Sequence, residues 1–416
     1  MRLRILPVAA AALLAGCALD VSNPNAATEE AVLTSAAGAR AAAVGLQGRF
    51  GNALEHAIWV PGLIANELGT LTNSQSQQRE FQRFPTTSLN TPIQTVNADL
   101  LAFWSRQYAV VRAADDVLGA ADRVTLAPGT KSGITALART LKAASFWTLA
   151  EAWQQIVLEP AAESPTFVDR AAALARALEL LAQARADLAA QAPSTEFTSQ
   201  VLLPGFDLPN TIRAYQARVA LAAGQYEQAL TFANEVPTTA TSEYRFSTVD
   251  PNPVWATFTS NRYFSALATL RTTAEAGDAR VARLLGTTAI DSLGGARTLP
   301  LLVYRNPGDA YPLFTQDELT LVRAEAHARL NRLPQAIVEV NRVRTAAGLP
   351  ARTAAELSTQ QAVLDEILRQ RRLSLLLTGQ AWADLRRFGR TAEARVAWLP
   401  YPEQERASNP GTPGNP

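Results

Sequence analysis

The hydrophobic residues of this chain recur mostly at the spacing of an α-helix. Between residues 171 and 191 leucine returns every three, four or seven positions, with charged residues between, at Leu174, Leu178, Leu181 and Leu188. Such spacing places the leucines on one face and predicts an amphipathic helix. Runs of alternating β-branched and polar residues, the pattern of a half-buried strand, are almost missing. The pattern therefore predicts an all-α fold.

Two segments, residues 213–236 and 323–343, share one arrangement of apolar positions. Each predicts a helix, a short turn and a second helix, with Gly224 and Asn331 at the equivalent turn position. Both residue types tolerate the left-handed backbone conformation that ends a helix. The residues expected between the paired helices also correspond: Tyr226 with Leu333, and Ala229 with Ala336. This is the pattern of tetratricopeptide repeats, although both segments lack the tryptophan that is usual in the first helix.

Long polar segments separate the helical ones. Residues 66–95 and 236–254 are rich in Thr, Ser, Asn, Gln and Pro, and residues 297–311 carry Gly and Pro. Connections of this length inside a compact domain are usually functional or disordered. Aromatic residues are interspersed among the polar ones, which favours ordered loops packed against the helices. We therefore expect ordered loops on a helical scaffold.

The N-terminus has the pattern of an export signal. Arg2 and Arg4 precede an apolar run, residues 5–14, that is too short to span a bilayer as a stable helix. We predict a signal peptide at residues 1–16, which leaves the rest of the chain as the mature protein.

A lipid anchor is predicted directly after the signal. The apolar run ends in Leu14-Ala15-Gly16-Cys17, which resembles the lipobox of bacterial lipoproteins. Cys17 is the only cysteine of the chain, so a thiol absent elsewhere stands where lipid would be attached. We predict lipid on Cys17 and a lipidated tether at residues 17–35, which would hold the protein on a membrane. The alternative is an ordinary signal peptide followed by a chance cysteine.

Charge and composition argue against several functional classes. The chain has 38 basic and 37 acidic residues, so it lacks the basic excess of nucleic-acid-binding proteins. One cysteine and two histidines without HExxH-type spacing give no motif for a metal. Neither a G-x-S-x-G elbow nor a phosphate-binding glycine loop occurs. We predict no catalytic residue, no metal and no cofactor; a glycosidase, which needs two carboxylates across a cleft, stays open.

Several segments resemble one known family, in the correct order along the chain. Residues 319–350 are similar to the family's Arg, Ala-Glu-Ala and Asn-x-Val-Arg run, and residues 367–388 to its ERR…EG…RWxDLxR signature. Residues 399–410 resemble its closing P-x-P-x-x-E…NP pattern. The family is that of the SusD/RagB-like outer-membrane nutrient-binding lipoproteins. The signature departs at three positions where the family usually has acids: Gln370, Ser374 and Thr378.

The resemblance implies an architecture. It is an all-α, SusD-like fold in which tetratricopeptide-like helical repeats pack with a loop-rich, mostly helical ligand-binding half. The mature protein would be a single domain at residues 36–416. Its helical repeats would lie at about 134–235 and 315–390, and its binding region at about 55–105 and 236–312.

The resemblance also implies a role. Family members bind a nutrient, commonly a glycan, and hand it to a SusC-like TonB-dependent transporter in the same membrane. We therefore expect a non-enzymatic protein, lipid-anchored at the cell outer membrane, that binds a glycan or another small nutrient and no nucleic acid. A competing interpretation is a tetratricopeptide-type lipoprotein scaffold for protein–protein interaction in the cell envelope, which would share the anchor and the repeats.

Aromatic and polar residues of the loops are the candidates for ligand contact. A sugar site needs flat aromatic faces for the C–H surface of the ring, and amides, carboxylates or arginines for its hydroxyls. Two groups of residues satisfy this: Trp59, Asn66, Glu67, Phe81 and Phe84 in the first, Trp255 and Tyr263 in the second. Trp255 is the strongest single candidate, because it follows Asp-Pro-Asn-Pro in a loop. For each aromatic taken alone, packing in the core is the alternative.

Overall fold

The computed structural model describes residues 33–85 and 87–416. The predicted signal peptide, Cys17 and residues 17–32 of the predicted tether lie outside the described residues. The helices are, in chain order, α1 Ala36–Ile64, α2 Ser76–Arg79, α3 Ala98–Arg123, α4 Pro128–Ala152, α5 Arg170–Ala190, α6 Thr195–Gln200, α7 Leu208–Ala222, α8 Tyr226–Asn234, α9 Pro253–Trp255, α10 Thr269–Thr272, α11 Ala279–Leu284, α12 Gln316–Arg329, α13 Leu333–Ala346, α14 Gln360–Ser374, α15 Ala381–Arg387 and α16 Glu403–Ser408.

The strands are short and lie mostly in the loop-rich regions. They are β1 Leu68–Thr70, β2 Gln155–Val157, β3 Phe167–Asp169, β4 Ser242–Tyr244, β5 Phe264–Leu267, β6 Ile290–Asp291, β7 Arg297–Leu299 and β8 Tyr311–Phe314. The fold is therefore mainly helical, as the apolar spacing predicts. Alternation could not reveal these strands, because two to four residues are too few to establish a period of two.

The long helices pack on one another in chain order. α1 contacts α3, α3 contacts α4, α4 contacts α5, and α5 contacts α7. Side-chain caps fix where three of them begin: Ser35 accepts from the backbone N–H of Gly38, and Asn97 and Asp169 cap α3 and α5 in the same way. Each cap satisfies backbone donors that have no partner within the helix. Among residues 33–85 and 87–416, no helix combines the length and apolar character needed to cross a membrane.

Both predicted repeat units are present. α7 pairs with α8, α12 pairs with α13, and α8 packs against α12, so that the two units stack. Gly224 ends the first helix of one unit with a φ of 74°, and Asn331 does so in the other with a φ of 57°. Ala229 and Ala336 are fully buried between the paired helices, where a small side chain permits their close approach.

A four-stranded antiparallel sheet joins the two loop-rich regions. Its strand order is β1-β5-β7-β6, with Leu68 opposite Ala266 and Ala266 opposite Leu299. The pairing connects residues near the end of α1 to residues almost two hundred positions later. This sheet positions the loops around the groove described below.

An aromatic cluster ties the C-terminal segment to the helices. Trp104 packs edge-on against Trp153 and against Tyr401, with ring centroids 4.9 and 5.9 Å apart. The indole N–H of Trp153 donates to the carbonyl of Pro400 at 2.9 Å, and the Tyr401 hydroxyl donates to the carbonyl of Gln155 at 3.1 Å. All three rings are buried, so the final segment completes the main core.

Candidate functional site

A groove of about 480 Å³ opens where the two loop-rich regions meet at the sheet. We call it the Phe84 groove. It is lined by Asn66, Gln82, Arg83, Phe84, Pro85, Leu267, Ala268, Thr269, Thr272, Ala296 and Arg297. These residues come from the loop after α1, the segment before α3, the end of strand β5, helix α10 and the start of strand β7. Both predicted binding regions therefore contribute to one surface feature.

Backbone hydrogen bonds fix the walls of the groove relative to one another. The N–H of Leu267 donates to the carbonyl of Glu67 at 2.8 Å, and the N–H of Ala268 donates to the carbonyl of Arg297 at 2.8 Å. Asn66 has a φ of 58°, a left-handed conformation that asparagine adopts more readily than most residues. Its side-chain N–H donates to the carbonyl of Glu393 at 2.6 Å, which anchors this rim to the C-terminal region.

Phe84 forms an apolar wall of the groove. Its backbone N–H donates to the side-chain oxygen of Asn90 at 2.8 Å, and its carbonyl accepts from the Asn90 amide at 3.0 Å. The β6–β7 turn lies against the ring: a Cβ on Gly294, which has a φ of 72°, would come within 2.6 Å of the Phe84 ring. Only glycine fits there without displacing the ring.

Gln82 gives the groove a polar floor. Its side-chain oxygen accepts from the N–H and the hydroxyl of Thr70, at 2.7 and 2.6 Å. Its side-chain N–H₂ is buried and has no hydrogen-bond partner among the described residues. An unpaired buried donor costs about 1–3 kcal/mol. The floor beside the Phe84 ring can therefore supply a donor to a polar ligand group that reaches it.

Trp59 and Phe81 lie in the core beneath the sheet. Trp59 is 1 % exposed, stacks on Phe264 with ring centroids 4.9 Å apart, and meets Phe81 edge-on at 5.5 Å. Phe81 is fully buried. Both rings therefore pack in the core, which is the alternative to ligand contact stated for each aromatic residue. Of the first group of predicted ligand residues, Asn66 and Phe84 line the groove.

Glu67 is buried beside a cavity of about 10 Å³, the size of one water molecule. Arg371, Arg372 and Asp384 line the same cavity. Burial raises the pKa of the Glu67 carboxyl to about 8; the charge of Arg372 opposes this, and that of Asp384 adds to it. The side chain is therefore mostly neutral at pH 7, and it is not part of the groove lining.

Trp255 and Tyr263, the second predicted group, lie outside the lining of the Phe84 groove. Trp255 ends the one-turn helix α9, is partly exposed, and has its backbone N–H capped by the side chain of Asn252 at 3.3 Å. Tyr263 is partly buried, and its carbonyl accepts from the N–H of Leu71 at 2.8 Å. The structure therefore does not bring the two predicted groups into one site. Whether either group contacts a ligand stays a prediction.

Several groove residues were not singled out from the sequence. They are Gln82, Arg83, Thr269, Thr272 and Arg297, all within the predicted binding region at about 55–105 and 236–312. The signal that could have found the first two is their position between Phe81 and Phe84. The other three become neighbours of Phe84 only through the pairing of β1, β5 and β7.

Comparison with known proteins gives a consistent result. The SusD family model matches residues 309–415. Solved structures match nearly the whole chain. One SusD superfamily protein from Bacteroides thetaiotaomicron has a TM-score of 0.69 at 16 % identity over 92 % of this chain and 98 % of its own. Another SusD superfamily protein, from Bacteroides vulgatus, has a TM-score of 0.71 at 12 % identity over 93 % of this chain and 98 % of its own.

NanU of B. fragilis is similar as well, with a TM-score of 0.69 at 14 % identity over 95 % of this chain and 99 % of its own. No curated protein matches the chain. At these identities the structural likeness establishes the fold, and the C-terminal match adds the sequence pattern. The resemblance and the fold class expected from the sequence are both confirmed.

Proposed function

We propose that this chain, which is SusD/RagB-like in its fold and its C-terminal sequence, binds an oligosaccharide nutrient in the Phe84 groove and delivers it to a SusC-like TonB-dependent transporter. The observation that carries the proposal is the groove itself. It is built from the two loop regions expected to hold the ligand, and its volume of about 480 Å³ lies within the range of small-molecule sites.

The chemistry of the lining suits a sugar. The exposed parts of Phe84 and Leu267, which are 5 % and 8 % exposed, offer apolar surface to the C–H face of a pyranose. Asn66, Thr269 and Thr272 stand around that surface as neutral polar groups for hydroxyls. An apolar wall with a few polar groups is the usual composition of a ligand site.

The Phe84→Ala variant is expected to bind oligosaccharide about tenfold more weakly, because it removes the aromatic face of the groove. The measurement is calorimetric titration with a panel of oligosaccharides and peptides, accompanied by thermal unfolding to establish that the variant is folded. Trp255→Ala, in the second predicted group, is the comparison and should bind normally. If Trp255→Ala loses oligosaccharide binding and Phe84→Ala binds normally, the site is at the second group and not in the Phe84 groove.

Delivery to a transporter in the same membrane gives the predicted lipid anchor a purpose. A tether on Cys17 would confine the binding body to the plane of its partner and raise its effective concentration there. The localisation that follows is the cell outer membrane.

The Cys17→Ala variant is therefore expected to impair nutrient uptake by cells while the purified body keeps its ligand affinity. Co-purification of the unmodified protein with a TonB-dependent barrel encoded beside it is the accompanying measurement. Normal uptake by the variant would show that the anchor is dispensable, and absence of any barrel partner would contradict the delivery role.

The stacked repeats α7–α8 and α12–α13 favour the competing role as a protein-binding scaffold in the envelope. That role predicts a protein partner bound on the repeats and no saccharide affinity. The same titration panel, with its peptide arm, therefore separates the two functions.

A further inference from the structure

We infer that the ligand of the Phe84 groove is an acidic oligosaccharide, one that carries a carboxylate or sulfate group on the sugar unit held in the groove. This inference rests on the proposed function and names the substrate class of the same site. It starts from the charges of the lining.

The charged groups that line the groove are two arginines. Arg83 and Arg297 are both exposed at its rim, and no carboxylate side chain is among the described residues that line it. Elsewhere in the fold many guanidinium groups are neutralised by acids: Arg218 by Glu318, for example. The groove is therefore a locally positive site in a chain whose overall charge is close to zero.

The Arg83 guanidinium has N–H donors that make no hydrogen bond within the described part of the chain. Its Nη1 donates to the carbonyl of Ala392 at 2.7 Å, and within the described part of the chain it has no acidic partner within 4.0 Å. A hydrogen bond to a backbone carbonyl does not neutralise the positive charge of Arg83. Burial lowers the pKa of Arg395, the charge of Arg83 lowers it further, and the charge of the nearby Glu80 raises it. Within the described part of the chain no ion pair joins Glu80 to Arg83, so the Arg83 guanidinium stays available at this rim.

Arg297 is held in position by strand β7. Its carbonyl accepts from the N–H of Ala268, which fixes the backbone at the groove wall. Its guanidinium makes no hydrogen bond or ion pair to any described side chain, and Asp291 lies opposite it in the register of β6 and β7. Among the described side chains, none therefore neutralises the Arg297 guanidinium, which stays available to a ligand at this rim.

Two arginines beside an apolar wall fit an anionic group that is attached to a sugar ring better than they fit a free anion or a neutral sugar. A guanidinium binds a carboxylate or sulfate with two parallel N–H···O bonds. The ring that carries the anion would place its C–H face on Phe84 and Leu267. A neutral sugar would use the same apolar wall but leave both guanidinium groups without a charged partner.

Matched probes test this directly. Trisaccharides of galacturonate, glucuronate and mannuronate are each titrated beside the same trisaccharide with its carboxylates reduced to alcohols, and sulfated trisaccharides beside their unsulfated forms. We expect at least one acidic probe to bind about tenfold or more tighter than its neutral counterpart. The advantage should shrink in high salt. It should disappear in the double variant Arg83→Gln/Arg297→Gln.

The control variant is Arg112→Gln. Arg112 is an exposed arginine on α3 outside the groove lining, and its loss should leave every affinity unchanged. Neutral probes should bind the double variant as they bind the unmodified protein, which shows that its fold is intact.

The outcomes separate the two proposals. If neutral trisaccharides bind as tightly as acidic ones, the acidic class is wrong while the oligosaccharide function stands. If neither class binds, the proposed function fails and the inference fails with it. If inorganic sulfate or acidic peptides compete as well as the acidic trisaccharides, charge alone is recognised and the sugar class is overturned.

Discussion

The free energy of unfolding of the Arg218→Met variant is expected to be about 3–5 kcal/mol lower than that of the unmodified protein, because the substitution leaves a buried carboxylate without its partner. Arg218 on α7 donates two hydrogen bonds to Glu318 on α12, at 2.6 and 2.8 Å, and a third to the carbonyl of Leu313. The Glu318 side chain is 2 % exposed. Burial lowers the pKa of the Arg218 guanidinium, but the charge of Glu318 and its hydrogen bonds outweigh this and raise that pKa above its usual value. The ion pair joins the two repeat units.

A matched control lies between the same two units at the surface. Arg332 contacts Glu227 there, and both side chains are well exposed, so Arg332→Met should cost less than about 1 kcal/mol. Urea unfolding of both variants measures the difference. The double variant Arg218→Met/Glu318→Leu should recover part of the loss, because neither charge then remains buried alone. Equal losses in Arg218→Met and Arg332→Met would contradict the account.

Glu67 is expected to make the protein less stable as the pH rises from about 4.5 to about 8. Its pKa in the folded state is about 8 against a reference value of 4.5, so in this window the folded state holds a proton that the unfolded state has released. Stability therefore falls with rising pH, by about 5 kcal/mol over the whole window. The loss is complete once the pH passes the folded-state value.

The Glu67→Gln variant should remove that slope and be the more stable protein near pH 8, since the amide keeps the shape of the protonated acid. Unfolding in urea across the pH window provides the measurement. The groups that face Glu67 around the small cavity are Arg371, Arg372 and Asp384, and they are kept unchanged. Glu403→Gln, on the exposed face of α16, serves as the control. An unchanged slope in Glu67→Gln would assign the pH dependence to another group.

The repeat units could be predicted from the sequence because their determinants are local. Gly224 and Asn331 stand at equivalent positions, and both have the left-handed backbone that ends a helix. Alanine at the helix contacts and apolar spacing on either side complete the pattern within about twenty residues. Local signals of this kind do not depend on how the rest of the chain folds.

The groove could be predicted only in part, because its geometry depends on distant pairings. Residue type does not distinguish an aromatic that lines a groove from one that fills the core: Phe81 and Phe84 occur three residues apart in one polar segment, but Phe81 is fully buried against Trp59 and Phe84 lines the groove. The difference is set by the pairing of β1 with β5, strands too short to carry a pattern. The positive rim could not be predicted for a related reason: whether an acid neutralises an arginine depends on its neighbours in space.

The buried contact of Tyr401 with Trp104 and Gln155 also bears on the order in which the chain folds. A polypeptide emerges from the ribosome N-terminus first, so the helices α3 and α4 are made long before the segment that covers their aromatic side chains. Contacts across so many residues form late, because a long loop must close before they can. A chain shortened before residue 399 would keep its helices but expose Trp104 and Trp153, and such exposed apolar surface invites aggregation.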